Sequence, residues 1–352
     1  MKYLNYVILY CLEKVHEERS IYSVFHILKG KKSSQSIQDT HLFELQPFFL
    51  SLPKLKREFF NEKVKELVSE GYLHISENEI GTLTLKGEKI LKSELQTAFF
   101  PKDMNGLLFG DQCQLFWKRL SLLVQVLSNV KNKESIYYPV QRSRGVQDWV
   151  KRFLRAHSSE ENISLTIYKE LKQVLNLQLG KDDPSIFVHR LTGFEDYGWT
   201  ESQVAEKLKM HEEEYRFRFL NFIHGILVEL TKHPETYPIL YSMSIKSDQT
   251  ESLTISTAKT FDLLNRGFSL EEIARIRNLK QNTIEDHVIE ILLTKEKINT
   301  EKFIKKEDIH EVNKVMDSLE TKRLKAIKEK IPELSYFQIR VAITKAGDRN
   351  ES

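Results

Sequence analysis

The sequence of 352 residues is poor in cysteine, proline and glycine, and it contains no long apolar run. Its two cysteines, Cys11 and Cys113, are too few for a disulfide framework, and neither has a Cys or His at the spacing of a zinc site. Eight prolines and 13 glycines exclude a collagen-like or proline-rich disordered chain. Because no apolar run approaches about 18 residues, we expect no membrane-spanning helix and a soluble, cytoplasmic protein.

The motifs of common enzyme classes are also missing. The sequence has no Gly-x-x-x-x-Gly-Lys-[Ser/Thr] phosphate loop, no His-Glu-x-x-His metal site and no Gly-x-Ser-x-Gly nucleophile motif. The pairs His211–Glu212 and His310–Glu311 both lack the second histidine. We therefore expect a protein that is not an enzyme and that needs no cofactor and no metal.

Charge is unevenly spread along a chain whose net formal charge is only +3. Residues 101–160 carry 10 Lys and Arg against 5 Asp and Glu. From this basic stretch we predict four DNA contacts: Arg142, Arg144, Lys151 and Arg152. The nearby aromatic residues Tyr137, Tyr138 and Trp149 favour single-stranded DNA, because aromatic rings stack on bases. A solvated surface and a packed turn at 137–139 are the alternatives.

Apolar residues recur every three or four positions along most of the chain, which predicts a mainly α-helical protein. The pattern is interrupted between Pro101 and Gly110 and again between Ser244 and Ser256. We therefore predict three domains, at residues 1–100, 101–247 and 248–352.

The end of the first domain is typical of a winged helix-turn-helix. An amphipathic helix over 59–68 is followed by Gly71, which suits a left-handed helix cap, and two short strands are predicted over 72–75 and 82–85. Upstream, a helix ends in a basic turn that has the right side chains for DNA phosphates. The predicted contacts in this turn are Lys29, Lys31 and Lys32. The alternative is a polar loop in a winged helix that dimerises or acts as a scaffold.

The sharpest motif is a helix-turn-helix over residues 268–292. Ser269 is a good N-cap, Glu272 completes a capping box, and Asn278 suits the left-handed turn between the helices. Asn282 or Thr283 is expected to cap the second helix. If this helix enters the major groove, the expected DNA contacts are Lys280, Gln281, Asn282, Thr283 and His287.

Acidic residues on the same helix weaken this interpretation. Glu285, Asp286 and Glu290 have the wrong sign for phosphate, so docking to a protein and a purely structural role stay open. In the middle domain, Gly198–Met210 aligns without gaps on Gly267–Leu279 and predicts a second helix-turn-helix-like unit. Its second helix begins with acidic residues, which favours a structural or protein-facing role.

Residues 257–293 and the tail over 303–343 resemble the helix-turn-helix domain at the C-termini of RecQ-type and Werner-type helicases. Residues 21–37 resemble the start of the winged-helix region that follows the motor in RecQ-type helicases. The chain as a whole is similar to the YpbB family of Bacillus-type bacteria, whose members are typically encoded beside a RecQ-type helicase lacking these regions.

The resemblance implies a non-catalytic DNA-binding accessory of a RecQ-type helicase. Such a protein would act in DNA repair, recombination or replication-fork maintenance, and its partners would be the helicase and fork or duplex DNA of any sequence. The alternatives are a helix-turn-helix transcription regulator and a protein-binding scaffold that does not contact DNA.

Overall fold

A computed structural model describes residues 1–158, 162–178, 182–245, 253, 255–294, 299–319 and 321–346. These residues form 18 α-helices and a single two-stranded sheet, so the predicted mainly α-helical class is confirmed. None of the described helices combines the length and the apolar composition that crossing a bilayer requires.

The helices follow one another with short connections. The N-terminal helices are α1 (Tyr3–Val15), α2 (Ile21–Lys29), α3 (Ser34–Leu42), α4 (Arg57–Ser69) and α5 (Leu85–Thr97). The strands β1 (Leu73–Ile75) and β2 (Gly81–Leu83) separate α4 from α5. The middle helices are α6 (Gly106–Lys131), α7 (Arg144–Ala156), α8 (Ile163–Gln178), α9 (Ser185–Val188), α10 (Glu201–Lys207), α11 (Glu212–Lys232) and α12 (Pro238–Ser244). The C-terminal helices are α13 (Ile255–Asn265), α14 (Leu270–Arg277), α15 (Gln281–Thr294), α16 (Lys306–Leu319), α17 (Leu324–Lys330) and α18 (Tyr336–Ala346). Short 3-10 helices occur at Gln46–Phe48 and Thr300–Lys302.

The described residues divide into two compact units. The middle unit comprises Met1–Leu4 and Glu94–Gln249, and the terminal unit comprises Asn5–Ser93 and Thr250–Ser352. The first and third sequence blocks therefore share one unit instead of standing as separate domains. The physical reason is that α3 packs against α15 and α18.

The predicted wing is present in the terminal unit. After α4, Gly71 takes a positive φ of 72°, which costs glycine little, and the chain enters β1. Strands β1 and β2 pair antiparallel with Leu73 opposite Leu83, and an isolated bridge joins Ser20 to Ile80. The hairpin thus lies beside the start of α2, as a winged helix-turn-helix requires.

Helix α11 is the core helix of the middle unit. Its residues Phe222, Ile226 and Leu230 are almost fully buried, and α6, α8, α9, α10 and α12 pack around it. Two polar side chains of α11 hold the turn before α6. Asn221 Oδ1 accepts the Asp103 N–H at 2.8 Å, and His224 Nδ1 accepts the Asn105 N–H at 3.0 Å.

His224 makes the stability of the middle unit dependent on pH. Burial lowers the pKa of His224 to about 3, below its ordinary value of 6.5. Between these two values the unfolded chain binds a proton that the folded chain does not, so stability is full above pH 6.5 and falls as the pH drops towards 3. The expected loss is about 1.4 kcal/mol per pH unit, or about 2 kcal/mol between pH 6.5 and pH 5.

Urea unfolding followed by tryptophan fluorescence measures this effect. All three tryptophans, Trp117, Trp149 and Trp199, lie in the middle unit and report on it alone. His224→Asn keeps an acceptor for the Asn105 N–H but cannot take up the proton. The variant should lose the histidine contribution to the slope between pH 5 and 6.5. Equal slopes in the two proteins would contradict the assignment.

Candidate nucleic-acid interface

The helix-turn-helix of the terminal unit has the local geometry expected from its sequence. The Ser269 side chain accepts the Glu272 N–H at 3.2 Å, and a Glu272 carboxylate oxygen accepts the Ser269 N–H at 2.8 Å. Asn278 ends α14 in the left-handed region, with φ 51° and ψ 48°. The predicted capping box and turn are therefore confirmed.

The start of α15 differs from the prediction. The helix begins at Gln281, and the carbonyl of Lys280 accepts the N–H groups of Thr283 and Ile284. Asn282 and Thr283 thus lie in the first turn of the helix, and neither is its N-cap. Lys280, Gln281 and Asn282 are exposed, and Thr283, Glu285 and Asp286 are half-buried, so α15 faces solvent near its start.

From His287 to Leu292, α15 is buried on every side. The six consecutive residues His287–Leu292 are each at most 8% exposed, which spans more than one helical turn. Helices α3, α13, α14 and α18 surround the stretch. His287 is therefore a core residue, and the prediction that it contacts DNA is wrong for this conformation.

The side of α15 that faces α13 is polar. The His287 Nδ1 lies 2.9 Å from the Thr260 hydroxyl, and the Thr257 hydroxyl donates to Glu290 at 2.6 Å. Arg277 donates to the Thr260 hydroxyl at 2.5 Å. Burial and the Arg277 charge lower the pKa of His287, which favours the neutral ring at pH 7.

This network explains why Arg277 stands where helix-turn-helix sequences often have an apolar residue. Its guanidinium lies among hydroxyl groups of α13 and the ring of His287, with a further hydrogen bond of 2.9 Å to Ser256. The sequence signal was the repeated three-residue spacing of Thr257 with Thr260 and of His287 with Glu290.

Arg340 of α18 joins three helices of the terminal unit. It donates to Gln38 Oε1 at 3.0 Å and to Asp286 Oδ1 at 2.7 Å, and it also bonds the Ser34 hydroxyl. The Gln38 side-chain amide donates back to the Arg340 carbonyl at 3.3 Å. At the other end of α3, the Lys322 ammonium donates to the Leu42 carbonyl at 2.5 Å. Helix α3 is thus held across α15 at both of its ends.

The basic turn after α2 is placed against the segment that leads into α4. Gly30 ends α2 with a φ of 74°, and a Cβ atom there would lie 2.3 Å from Leu50 Cδ1. The Leu50 and Leu52 N–H groups donate to the carbonyls of Ile27 and Leu28 at 3.0 and 2.8 Å. Lys29, Lys31 and Arg57, the first residue of α4, all lie close enough to His26 to repel its charged form.

We call Lys29, Lys31 and Arg57 the basic cluster. All three are exposed, and all three lower the pKa of His26 by charge repulsion, in addition to the larger effect of burial. The Arg57 guanidinium lies 3.9 Å from the Tyr22 ring centroid. A side-chain hydrogen bond with Tyr22 and, to a smaller extent, the charges of Glu79 and Glu58 raise the pKa of Arg57.

Lys32, the third lysine predicted as a contact, lies on the same turn as Lys29 and Lys31 and is exposed. The basic cluster contains one residue, Arg57, that the sequence interpretation missed. Arg57 was overlooked because it is 26 positions from Lys31 and begins a different helix. The available signal was its place at the start of the helix that precedes the wing.

In the middle unit, helix α7 carries the second basic surface. Val146, Val150 and Phe153 face the core, whereas Arg142, Arg144, Lys151 and Arg152 are exposed. Among the described residues, none of these four cations forms an ion pair. Trp149 is part of the packing, since the guanidinium of the buried Arg119 lies 4.5 Å from its ring centroid. Of the three aromatic residues that we associated with this stretch, only Tyr138 is fully exposed.

The repeat predicted in the middle block has the same local structure as the C-terminal motif. Thr200 and Gln203 form a capping box like that of Ser269 and Glu272, and Lys209 takes a φ of 56° where Asn278 has 51°. Helix α11 begins at Glu212, the position that aligns with Gln281. In both units this second helix supplies the core.

Comparison with known proteins agrees with this architecture. A family of helix-turn-helix domains matches residues 256–343, which cover α13 to α18 apart from the ends of the first and last helices. Protein YpbB of Bacillus subtilis (strain 168) is 32% identical to the chain over 347 residues, which is 98% of each protein. The chain belongs to the YpbB family. No solved structure matches it. Because the similarity to YpbB spans nearly the whole chain, both units are included in the family match.

Proposed function

We propose that this YpbB-family protein is a non-catalytic, cytoplasmic DNA-binding accessory of a RecQ-type helicase, acting in repair, recombination or fork maintenance. The observation that carries the DNA-binding part is the basic cluster beside the wing. Lys29 ends α2, Lys31 lies in the turn that follows it, and Arg57 begins α4, and all three are exposed and lie around His26. Three exposed cations on one surface can contact phosphates of one duplex.

The basic cluster is a better main contact than α15. A recognition helix reads the major groove with side chains along its exposed face, whereas α15 is exposed only near its start and is buried from His287 to Leu292. Lys280, Gln281 and Asn282 remain available there for additional phosphate contacts. Contacts to phosphates position the protein without reading the sequence, so the binding should tolerate any duplex.

The helicase partnership rests on the resemblance described above. An accessory that holds DNA at modest affinity raises the effective concentration of a bound motor at the fork. The expected result is that the protein increases unwinding of a forked substrate by a RecQ-type helicase at limiting enzyme concentration. The control is a variant without DNA affinity, which should give no increase. An unchanged unwinding rate with the DNA-binding protein would contradict the accessory role.

Fluorescence anisotropy tests the DNA-binding part directly. The full chain is titrated onto labelled forked, duplex and single-stranded DNA of mixed sequence at 50 and 200 mM salt. If the cluster contacts three phosphates, log K should fall against log salt with a slope of about −3 for duplex DNA. A strong preference for one duplex sequence would favour a transcription regulator, and absence of binding at 50 mM salt would favour a scaffold.

A further inference from the structure

The connection between α6 and α7 presents an aromatic ring to solvent. Tyr138 is 96% exposed and Ile136 is 88% exposed, although the connection is hydrogen-bonded to α6. Tyr137, in contrast, is half-buried. A tyrosine ring this exposed contributes almost nothing to the folding of the unit, since its apolar surface stays in water.

The backbone that follows the Tyr138 side chain is nevertheless fixed. The buried amide of Gln125 in α6 donates to the Tyr138 carbonyl at 3.0 Å and accepts the Val140 N–H at 2.9 Å. Gln141 donates to the Ser121 hydroxyl at 3.1 Å. Pro139 stands between the two bonds to Gln125 and restricts the backbone further. The exposed ring is therefore attached to a backbone that hydrogen bonds already fix, which lowers the conformational entropy lost when a ligand binds.

The surroundings of the ring are strongly basic. Residues 131–157 carry seven Lys and Arg against two Asp and Glu. The exposed Arg142 and Arg144 follow Tyr138 within six positions. The two acidic residues are Glu134, whose carboxylate accepts the Ile136 N–H at 2.6 Å, and Asp148 on α7. The net charge of this stretch is thus +5, which complements a polyanion.

We propose that this surface, which we call the Tyr138 loop, binds single-stranded DNA. The proposal rests on the DNA-binding function above but assigns a different surface and a different form of DNA. A protruding ring stacks on a base only where bases are unpaired, because the bases of a duplex are already stacked. Arg142 and Arg144 would then hold phosphates of the same strand. The net charge of +5 over residues 131–157 favours a polyanion over a protein partner.

The experiment compares Tyr138→Ala, Tyr138→Phe and a matched control in the full chain. The control is Tyr197→Ala, which removes a ring that is 79% exposed and lies beside Glu195 and Asp196 in the same unit. The probe is fluorescein-labelled oligo(dT) of 20 nucleotides at 50 mM salt. Tyr138→Ala should weaken binding about 5- to 10-fold, whereas Tyr138→Phe and the control should bind like the wild type. Since the Tyr138 ring lies in water, no variant should change the melting temperature.

A salt series separates stacking from charge. Arg142→Ala/Arg144→Ala should reduce the slope of log K against log salt by about 1.4, which corresponds to two lost contacts to single-stranded phosphates. Tyr138→Ala should leave this slope unchanged. Ultraviolet crosslinking to a bromodeoxyuridine oligonucleotide gives a second readout, and the crosslinked peptide should contain Tyr138 and not Tyr197.

The outcomes distinguish this proposal from the proposed function. If Tyr138→Ala binds single strands like the wild type while the protein binds duplex, the Tyr138 loop is not a single-strand site and the proposed function stands. That outcome, together with weaker association of Tyr138→Ala with the helicase, would identify a protein-docking loop instead. If single strands bind through Tyr138 and duplex does not bind, the Tyr138 loop stands and the basic cluster fails. Binding to neither form of DNA would overturn both proposals.

Discussion

Replacing Lys31 and Arg57 together by glutamate should lower the affinity for duplex DNA about 100-fold at 0.1 M salt. Each lost phosphate contact removes about 0.9 from the salt slope, so two contacts account for a loss of about 60-fold at this salt concentration. The new carboxylates add repulsion, because they join Glu58 and Glu79 on the same surface. The slope itself should become shallower by about 1.8.

The matched control for this variant is Lys314→Glu/Lys325→Glu. Both lysines are exposed on α16 and α17 of the terminal unit, and the change in net charge is the same. A site made by the basic cluster loses affinity only in the first variant. Equal losses in the two variants would show that the net charge of the protein, and not this cluster, sets the affinity.

His26 offers a readout that does not depend on a binding assay. Burial and the three cations of the basic cluster lower its pKa in the free protein. The pKa should rise towards its ordinary value in Lys31→Glu/Arg57→Glu, because two repelling charges are replaced by attracting ones. It should also rise when the wild type binds duplex DNA, since phosphates neutralise the cations. Titration of the His26 ring by NMR in the free and bound protein measures both shifts.

Replacing Arg340 by leucine should lower the free energy of unfolding of the terminal unit by about 3 kcal/mol. The main cost comes from Gln38, which is 7% exposed and would keep a buried amide oxygen without its donor. Asp286 is half-exposed, so water replaces part of its lost ion pair and its contribution is smaller. Helix α3 would also lose the bond to Ser34.

Hydrogen exchange measured by mass spectrometry is suited to this variant, because the terminal unit contains no tryptophan. Amides of α3 and α15 should lose protection together, while amides of α11 in the middle unit should keep theirs. Arg275→Leu is the control, since Arg275 is an exposed arginine of α14 and its loss should change stability by no more than about 0.5 kcal/mol. Unchanged protection of α3 in Arg340→Leu would show that the apolar contacts hold it without the arginine.

A double-mutant cycle isolates the contact between Arg340 and Gln38. Gln38→Leu removes the buried amide, so Arg340→Leu should cost less in that background than in the wild type. Additive losses in the double variant would contradict a direct coupling between the two side chains.

The elements that could be predicted from sequence are those fixed by neighbouring residues. The capping box at Ser269, the left-handed Asn278 and the glycine at the end of α4 each depend on a few adjacent positions. The packing of α3 on α15 could not be predicted, because the two helices are about 250 residues apart and the sequence of neither indicates that the other is its partner. His287 was expected to contact DNA because it lies one turn after the start of the predicted recognition helix. Its burial depends on Thr260, a partner on another helix.

The order of the two units along the chain has a consequence for synthesis. Helix α3 is made early, but α15 and α18, which cover it, are made last, and Gln38 is 302 positions from Arg340. At about 5–20 residues per second, the ribosome needs roughly 10–50 s to extend the chain from α3 to α15. The middle unit is complete before α13 emerges, so it can fold first. Until α15 and α18 are synthesised, the apolar surface of α3 that they cover stays exposed to water. A chain that stops after α12 therefore contains one finished unit and one that is an exposed target for chaperones and proteases.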